Sequence, residues 1–258
     1  MSKTHYDLRS RLSSGEPLLF SWMSIPSPGL AGQMARLPIE GVCLDMQHGM
    51  IGFSDAVGMI AQINGAGRPA IVRTLWNEPG LVGQALDAGA TAVIAPMVNS
   101  RAEAEALVKA AKYPPIGGRS WGGYTALQAS GLEPGDYLRE ANRLTLVFAM
   151  IETTAALEHV EEIAATPGLD GLFVGPSDLS ITLSKGAGID KLGAATIAAM
   201  QRIAKAAKIN KLVAGAFGGS ADVIRAYLKL GYSFIAAGVD VDLLQAGAAQ
   251  LVKAVRDV

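Results

Sequence analysis

The sequence predicts an α/β fold, a single (β/α)8 barrel in which eight parallel strands alternate with helices. Three observations support this prediction. The chain has 258 residues, a length typical of one such barrel. Eight short apolar runs recur along it, and most precede a segment whose apolar residues return every three or four positions. No linker or low-complexity stretch divides the chain, so one domain over residues 1–258 is expected.

The predicted strands are rich in β-branched and small residues, and near-continuous apolar runs are typical of strands buried on both faces of a parallel sheet. They span 18–23, 41–46, 70–74, 91–96, 144–152, 171–176, 212–217 and 234–239. The clearest helical patterns cover 54–63, 78–89, 101–112, 155–165, 195–208 and 220–230. An open doubly wound sheet is disfavoured because no glycine-rich GxGxxG turn follows the first strand. Residues 113–126 are predicted to form a long functional loop.

Composition excludes several classes of protein. Half of the residues are apolar, 17% are charged and the net charge is -1, which disfavours a disordered segment and a nucleic-acid-binding protein. No apolar run reaches the roughly 20 residues of a membrane span, and the polar N-terminal segment lacks a secretory pattern. The single cysteine, Cys43, excludes internal disulfides and agrees with a reducing compartment. A cytoplasmic protein is therefore expected.

Polar residues interrupt the apolar pattern where the predicted strands end. In a barrel of this kind the working residues cluster at those ends and in the loops that follow them. The polar residues found there are Asp45, Gln47, His48, Arg73, Glu152, Ser177 and Asp178. Their common position predicts an active site at this end of the barrel.

Glu152 and Asp178 end adjacent predicted strands, so their carboxylates are expected to converge. Two buried carboxylates repel each other unless a cation lies between them, and oxygen-only ligation favours a hard divalent ion such as Mg²⁺ or Mn²⁺. Two simpler interpretations remain open. Asp178 would cap a helix that follows the strand, and Glu152 would pair with an arginine.

His48 and Arg73 are the candidates for proton transfer and for charge stabilisation. Histidine titrates near neutral pH, and His48 lies at the predicted rim, whereas His5 and His159 are expected at the surface. A guanidinium at the end of a buried strand needs an anionic partner. That partner of Arg73 is either a neighbouring acid or an oxyanion formed during a reaction.

None of the ten lysines lies at the carboxyl end of a predicted strand. A Schiff-base mechanism needs a desolvated lysine in the barrel mouth, so metal catalysis is favoured for a carbonyl-activating enzyme of this layout. Gly218, Gly219 and Gly238 follow strands seven and eight, where many barrels bind phosphate through backbone N–H groups. These glycines leave a phosphosugar isomerase or lyase open as an alternative.

Several motifs taken together resemble the metal-dependent, class II pyruvate aldolases, the family of 4-hydroxy-2-oxoheptanedioate aldolase, 2-dehydro-3-deoxyglucarate aldolase and macrophomate synthase. The motifs are LDMQHG (44–49), PAIVRTLWNEPGLVGQALDAGA (69–90), YPPIGGRSWGG (113–123), MIETTAAL (150–157) and VGPSDLS (174–180). The resemblance runs from about residue 21 to residue 240, in the family order. It implies a barrel enzyme that uses a divalent metal (Mg²⁺, Mn²⁺ or Co²⁺), a 2-oxo acid and an aldehyde.

The resemblance also implies roles for individual residues. Glu152 and Asp178 match the family's metal ligands, and His48 matches its catalytic base. Asp87 matches the acid that polarises that histidine, a residue that the strand-end pattern does not single out. The remaining matches are Asp45, near the metal's water ligands; Arg73, which stabilises the enolate oxygen; and the Gly175, Pro176, Ser177 and Asp178 segment, which receives the substrate carboxylate.

Departures from the family pattern predict differences in the substrate pocket. Gln47 and Met150 stand where relatives often carry Glu and Gln, so the charge near the site and one amide contact to the oxo acid are altered. Phe217 stands where a smaller aliphatic residue is common, and we hypothesise that Phe217 and Trp22 limit the space for the substrate.

The family is commonly hexameric, with its last helix exchanged between subunits. Here that helix is predicted at about 242–256, and its apolar side (Leu244, Ala248, Leu251 and Val255) fits a partner or its own barrel equally well. A homo-oligomer is expected. The leading functional prediction is a 2-oxo acid aldolase; the alternatives are a related barrel lyase acting on a CoA ester or phosphorylated acid, and a barrel that binds a metal or metabolite without turnover.

Overall fold

Eight parallel strands close into a barrel in which each strand pairs with the next and the last pairs with the first. The computed structural model describes residues 8–76 and 78–256. The strands are β1 (Leu18–Met23), β2 (Gly41–Asp45), β3 (Ala70–Arg73), β4 (Ala92–Ala95), β5 (Leu146–Ile151), β6 (Gly171–Val174), β7 (Val213–Phe217) and β8 (Phe234–Val239). Each overlaps its predicted strand, so the (β/α)8 barrel prediction is confirmed. His5 lies outside the described residues.

Helices surround the barrel and close the end at which its strands begin, which is called the lower end below. They are α1 (Leu8–Leu12), α2 (Pro28–Met34), α3 (Phe53–Gly65), α4 (Pro79–Asp87), α5 (Arg101–Ala111), α6 (Tyr124–Ser130), α7 (Pro134–Leu144), α8 (Thr154–Glu158), α9 (Val160–Ala164), α10 (Pro176–Leu183), α11 (Ala194–Ile209), α12 (Ala221–Lys229) and α13 (Asp240–Arg256). None of them, in the described ranges, is long and apolar enough to cross a bilayer.

Three helical predictions need correction. The segment 155–165 forms two short helices, α8 and α9, that meet at His159. The predicted loop 113–126 ends at residue 123 because α6 begins at Tyr124. Five helices lie outside the segments with a clear helical period: α1, α2, α6, α7 and α10. Four of them are eight residues or shorter, which is too brief to show such a period.

The barrel interior is filled with side chains that leave the strands on alternate residues. Phe234 stacks on Phe20 and on Phe148, with ring centroids 4.4 and 4.8 Å apart. A Cβ atom at Gly171 would lie 2.3 Å from the Phe148 ring, so only glycine leaves room for that ring. Because the interior is packed, a substrate has access only above this aromatic layer.

The lower end of the barrel is sealed by apolar and charged contacts. Leu8 and Leu12 of α1 pack beneath the strands. Lys112 is 1% exposed, and its ammonium group donates to the carboxylate of Asp170 (2.7 Å) and to the carbonyl oxygen of Thr145 (2.6 Å). This lysine is buried, but it lies at the end opposite to the predicted site and is already paired.

The last helix, α13, leaves its apolar side in solvent. Leu244, Leu251 and Val255 are 54%, 67% and 69% exposed, whereas only Asp240 at its start is buried. Of the two arrangements that the sequence allowed for this helix, packing on its own barrel is therefore wrong.

Candidate active site

A cavity of about 270 Å³ opens at the carboxyl ends of the strands. It is lined by Trp22, Ser24, Asp45, His48, Arg73, Met150, Gly175, Pro176, Ser177, Asp178, Phe217 and Val239. Five of the seven strand-end residues predicted from the sequence line this cavity, and the other two, Gln47 and Glu152, do not. A larger concavity of about 820 Å³ lies at the lower end, but its only acid, Asp170, is already ion-paired.

Asp45 and Arg73 form a bidentate ion pair at the base of the cavity. The Arg73 Nε and Nη2 atoms donate to Asp45 Oδ1 and Oδ2 at 2.8 and 2.7 Å. Burial by itself would raise the pKa of the Asp45 carboxyl, but the hydrogen bonds and charge of Arg73 outweigh it and hold that pKa below its ordinary value. Of the two partners considered for Arg73, the structure shows the neighbouring acid.

Arg73 keeps one of its N–H groups unpaired in the described ranges. Its guanidinium carbon lies 4.9 Å from the centre of the Trp22 ring, and its Nη1 makes no hydrogen bond within the described ranges. The ion pair and the ring fix the plane of the guanidinium group. One N–H edge therefore stays available to an oxygen atom in the cavity.

His48 lies in a tight loop that Asp45 organises. The Oδ1 atom of Asp45 accepts hydrogen bonds from the backbone N–H groups of Gln47 (3.0 Å) and His48 (3.2 Å). A Cβ atom at Gly49 would lie 2.3 Å from the Asp45 carbonyl oxygen, so the loop requires glycine there. The His48 ring is exposed at the cavity rim and pairs with no other described side chain.

Glu152 lies beside the cavity and is 2% exposed. Its Oε2 accepts a hydrogen bond from the Met97 N–H at 2.9 Å, and its Oε1 lies where a Cβ atom at residue 175 would come within 2.4 Å. Within the described ranges no lysine or arginine lies at ion-pairing distance from Glu152, so the predicted alternative of an arginine partner is wrong. Gly175 thus makes the space that this carboxylate occupies.

The buried position of Glu152 disfavours the ionised form of its carboxyl group. The pKa of Glu152 is raised from 4.5 to about 7, mainly because the carboxyl is buried. The hydrogen bond from the Met97 N–H and the charge of Arg73 lower it, and the negative charges of Asp178 and Asp45 add to the rise. Within the described residues no group of three or more His, Cys, Asp or Glu side chains gathers as a metal cluster.

Asp178 is in the first turn of α10 and is exposed at the cavity wall. The helix is capped by Gly175, and Asp178 makes no capping hydrogen bond, so the predicted alternative of a capping role for Asp178 is wrong. The N–H groups of Ser177 and Asp178 donate to no acceptor in the described ranges. These free N–H groups and the helix dipole favour an anion at this point.

Two aromatic rings form the opposite wall. Phe217 meets Trp22 edge-on, with ring centroids 5.4 Å apart and an interplanar angle of 89°. Met150 is 2% exposed and lines the cavity between this wall and Gly175. This side of the cavity is therefore bounded by apolar groups.

Asp87 lies away from this cavity. It ends α4 and pairs with Arg119, a residue of the 113–123 segment, in a separate cleft. Its side chain is 35% exposed, whereas that of Arg119 is 2% exposed. In the described part of this chain Asp87 makes no contact with His48, so the pairing implied by the resemblance is not seen here.

One acid near the cavity, Asp240, is not among the residues predicted from the sequence. Asp240 directly follows β8, is fully buried, and accepts hydrogen bonds from the N–H groups of Ser24 and Ile25 at 3.0 Å. It anchors the loop after β1, where Ser24 joins the cavity lining. Like Glu152, Asp240 lies at the carboxyl end of a strand, and its position there is the signal in the sequence that points to it.

Two of the predicted phosphate-binding glycines, Gly218 and Gly219, already use their N–H groups in hydrogen bonds within the barrel. The N–H groups of Gly218 and Gly219 both donate to the Ala236 carbonyl oxygen, at 3.0 and 3.2 Å. Neither is free to receive a phosphate oxygen. Gly218 and Gly219 therefore no longer support a phosphosugar isomerase or lyase.

Comparison with known proteins agrees with the fold and the motifs. The family model described as HpcH/HpaI aldolase/citrate lyase matches residues 19–246. A hydroxypyruvate/pyruvate aldolase of Rhizorhabdus wittichii is 36% identical over 95% of this chain and 96% of its own length. A 4-hydroxy-2-oxo-heptane-1,7-dioate aldolase of Klebsiella pneumoniae is 31% identical over 94% and 91%. The crystal structure of an HpcH/HpaI aldolase/citrate lyase family protein from Burkholderia cenocepacia superposes with a TM-score of 0.88 at 32% identity, covering 97% of this chain and 99% of that one.

Proposed function

This chain belongs to the HpcH/HpaI aldolase/citrate lyase family, and we propose that it is a divalent-metal-dependent aldolase acting on pyruvate or a hydroxypyruvate-like 2-oxo acid. The family resemblance drawn from the motifs is confirmed. One observation supports the mechanism above all others. Glu152 is buried, forms no ion pair in the described ranges and lies against Gly175, in the wall of a cavity that also contains Asp178, a fixed arginine and an exposed histidine.

Glu152 and Asp178 fit a divalent ion. The Oε1 atom of Glu152 occupies a space that only a glycine at position 175 leaves open, and in the part of the chain that the structure describes neither carboxylate forms an ion pair with a lysine or arginine. Two carboxylates with room for further ligands suit a hard cation such as Mg²⁺, Mn²⁺ or Co²⁺. When bound, such an ion supplies Lewis-acid polarisation of the 2-oxo group.

The helix N-terminus orients the donor substrate in this proposal. The free N–H groups of Ser177 and Asp178 bind the carboxylate of the 2-oxo acid, and Gly175 and Pro176 shape the turn that presents them. Arg73 then donates its remaining N–H edge to the oxygen that becomes negative in the enolate. Asp45 keeps that arginine in place, so no reorganisation is needed as the charge develops.

His48 is proposed to move the proton at C3 of the 2-oxo acid. It is exposed at the same rim, on a loop whose shape Asp45 and Gly49 determine. The resulting enolate adds to the carbonyl carbon of an aldehyde, and the reverse step breaks the same carbon–carbon bond. Asp87 remains proposed as the acid that polarises His48, although in this chain it pairs with Arg119.

The alternative of a lyase for CoA esters or phosphorylated acids gains no support from the site. It requires a basic groove, and Arg119, the only basic residue of the 113–123 segment, is buried and paired with Asp87. The third alternative, a barrel that binds a metal or metabolite without turnover, does not require a proton carrier such as His48 in the same cavity as the fixed Arg73.

We also propose that the chain forms a homo-oligomer, as a hexamer, through α13. The exposed apolar side of this helix is suited to burial against another copy. Sedimentation of wild type and Leu251→Glu tests this, and a wild-type monomer would contradict it. A cytoplasmic location likewise remains a prediction.

The decisive experiment follows exchange of the C3 protons of pyruvate by NMR in D2O. We expect exchange that needs a divalent ion, stops in EDTA and disappears in His48→Ala. Exchange that is indifferent to EDTA would exclude the mechanism proposed here.

A further inference from the structure

A loop that is anchored by hydrogen bonds carries Lys191 next to Phe217. Residues 184–193 join α10 to α11, and side chains from neighbouring helices hold their backbone. The Tyr227 hydroxyl donates to the Lys191 carbonyl oxygen at 3.0 Å, and the Thr196 hydroxyl donates to that of Asp190 at 2.8 Å. The Asp190 N–H donates in turn to the Ser180 hydroxyl at 3.2 Å. The position from which the lysine side chain extends is therefore defined before any substrate binds.

The Lys191 side chain ends against the aromatic wall of the cavity. Its Nζ atom lies 5.3 Å from the centre of the Phe217 ring, and that ring lines the cavity and meets Trp22. A cation at this distance from a ring is attracted to its face, which accounts for the direction of the side chain. The ammonium group thus lies next to Phe217, which ends β7 and lines the cavity, whereas Lys191 itself is not among the lining residues.

The charge of Lys191 is not neutralised by the protein. Across the described ranges it forms no ion pair, whereas the other cation of the cavity, Arg73, is bound by Asp45 through both of its oxygens. Contact with an aromatic ring leaves an ammonium group free to bind an anion on its other side. Among the described residues, the Lys191 ammonium group beside Phe217 is therefore a positive charge available to an anion.

We propose that Lys191 forms an anion-binding subsite for the acceptor aldehyde, which carries a carboxylate or phosphate group at the end remote from its carbonyl carbon. The inference rests on the proposed function, which places the 2-oxo acid between Arg73 and the start of α10. The wall formed by Phe217 and Trp22 is then left to the acceptor. An anionic group extending past Phe217 reaches the Lys191 ammonium.

Matched pairs of acceptors test this subsite with pyruvate as donor. The first pair is succinic semialdehyde and butanal, and the second is glyceraldehyde 3-phosphate and glyceraldehyde. In Lys191→Met we expect the KM of the anionic member to rise about fivefold, the most that a partly exposed ion pair commonly gives, with kcat little changed. The KM of the neutral member stays the same, and Lys191→Arg restores the wild-type value. The pair that responds identifies carboxylate or phosphate as the bound group.

Lys229→Met is the matched control, because it removes the same charge at the lower end of the barrel. An equal change for charged and neutral acceptors, a change confined to the KM of pyruvate, or no change in either pair would overturn the subsite. Those results leave metal-dependent C3 exchange intact in the wild type. Loss of that exchange in the wild type would instead overturn the aldolase function, and this inference with it.

Discussion

Asp45 and Arg73 stand directly opposite each other in the register of β2 and β3, and their side chains form a two-point ion pair in the mouth of the barrel. Neighbouring positions on parallel strands face the same way, so the pairing of the strands is enough to bring the two groups together. The pair joins the loop that carries His48 to the arginine that faces the cavity.

Replacing Arg73 by lysine keeps the charge but loses the planar fork. We expect Arg73→Lys to reduce kcat by about 10²-fold or more, because a point charge cannot hold Asp45 and an enolate oxygen in the same geometry. Steady-state kinetics with pyruvate and a neutral aldehyde measure this. Activity within threefold of wild type would mean that the fork has no role in the reaction.

Asp45→Asn tests the pH dependence of the ion pair. The pKa of Asp45 is lowered in the folded state, so the pair stabilises the fold above the unfolded pKa of about 3.9, and this stabilisation is lost as the pH falls through the folded pKa. Near pH 7 we expect the variant to lose about 3 kcal/mol of unfolding free energy, as for a broken buried pair. Urea unfolding at several pH values should show the difference narrowing below pH about 4, since asparagine resembles the protonated acid. A difference independent of pH would contradict this.

Glu152→Gln is expected to stabilise the metal-free protein at alkaline pH. The pKa of Glu152 is raised from 4.5 to about 7, so the ionised group opposes folding increasingly as the pH rises from 4.5 to 7. In EDTA at pH 8 the variant should gain up to about 3 kcal/mol over wild type, and at pH 4 the two should coincide. Thermal unfolding measures this, and Mn²⁺ should stabilise the wild type alone. A variant that is less stable at every pH would refute the assignment.

Gly175→Ala tests the space that holds the Glu152 carboxylate. An added Cβ atom would lie 2.4 Å from Oε1, so the carboxylate must move and activity should fall about 10²-fold for a displacement near 1 Å. Gly80→Ala is the control, because nothing lies within 4 Å of its Cβ position in α4, and a stability gain of up to about 1 kcal/mol is expected. Equal activity of the two variants would show that the space at residue 175 is not required.

Phe217→Ala should widen the range of acceptors. Removing the ring opens the wall against Trp22, so bulkier aldehydes should gain in kcat/KM relative to small ones. Competition between a small and a branched aldehyde, with pyruvate as donor, gives this ratio directly. An unchanged aldehyde range would count against a limiting role for Phe217.

Much of the candidate site could be predicted from the sequence because a parallel barrel places the carboxyl ends of all its strands on one side. The position of Glu152 and Asp178 at neighbouring strand ends is predicted in this way, and the structure places Asp178 in the lining of the cavity and Glu152 against Gly175, which also lines it. The same rule would have found Asp240. Arg119 and Asp87 could not be paired in advance, since they are 32 positions apart and one of them lies in an irregular segment.

The sequence by itself determined the barrel, the order of its strands, the family and the edge at which the polar residues collect, because strand periodicity and motif order are local properties of the chain. Only the tertiary structure decided which groups touch. In the folded chain Arg73 forms an ion pair with Asp45, and Asp87 forms one with Arg119. The apolar side of α13 is exposed, and the Lys191 ammonium group lies against the Phe217 ring. These outcomes depend on how loops and helices pack around the strands, and packing is a property of distances that no short stretch of sequence contains.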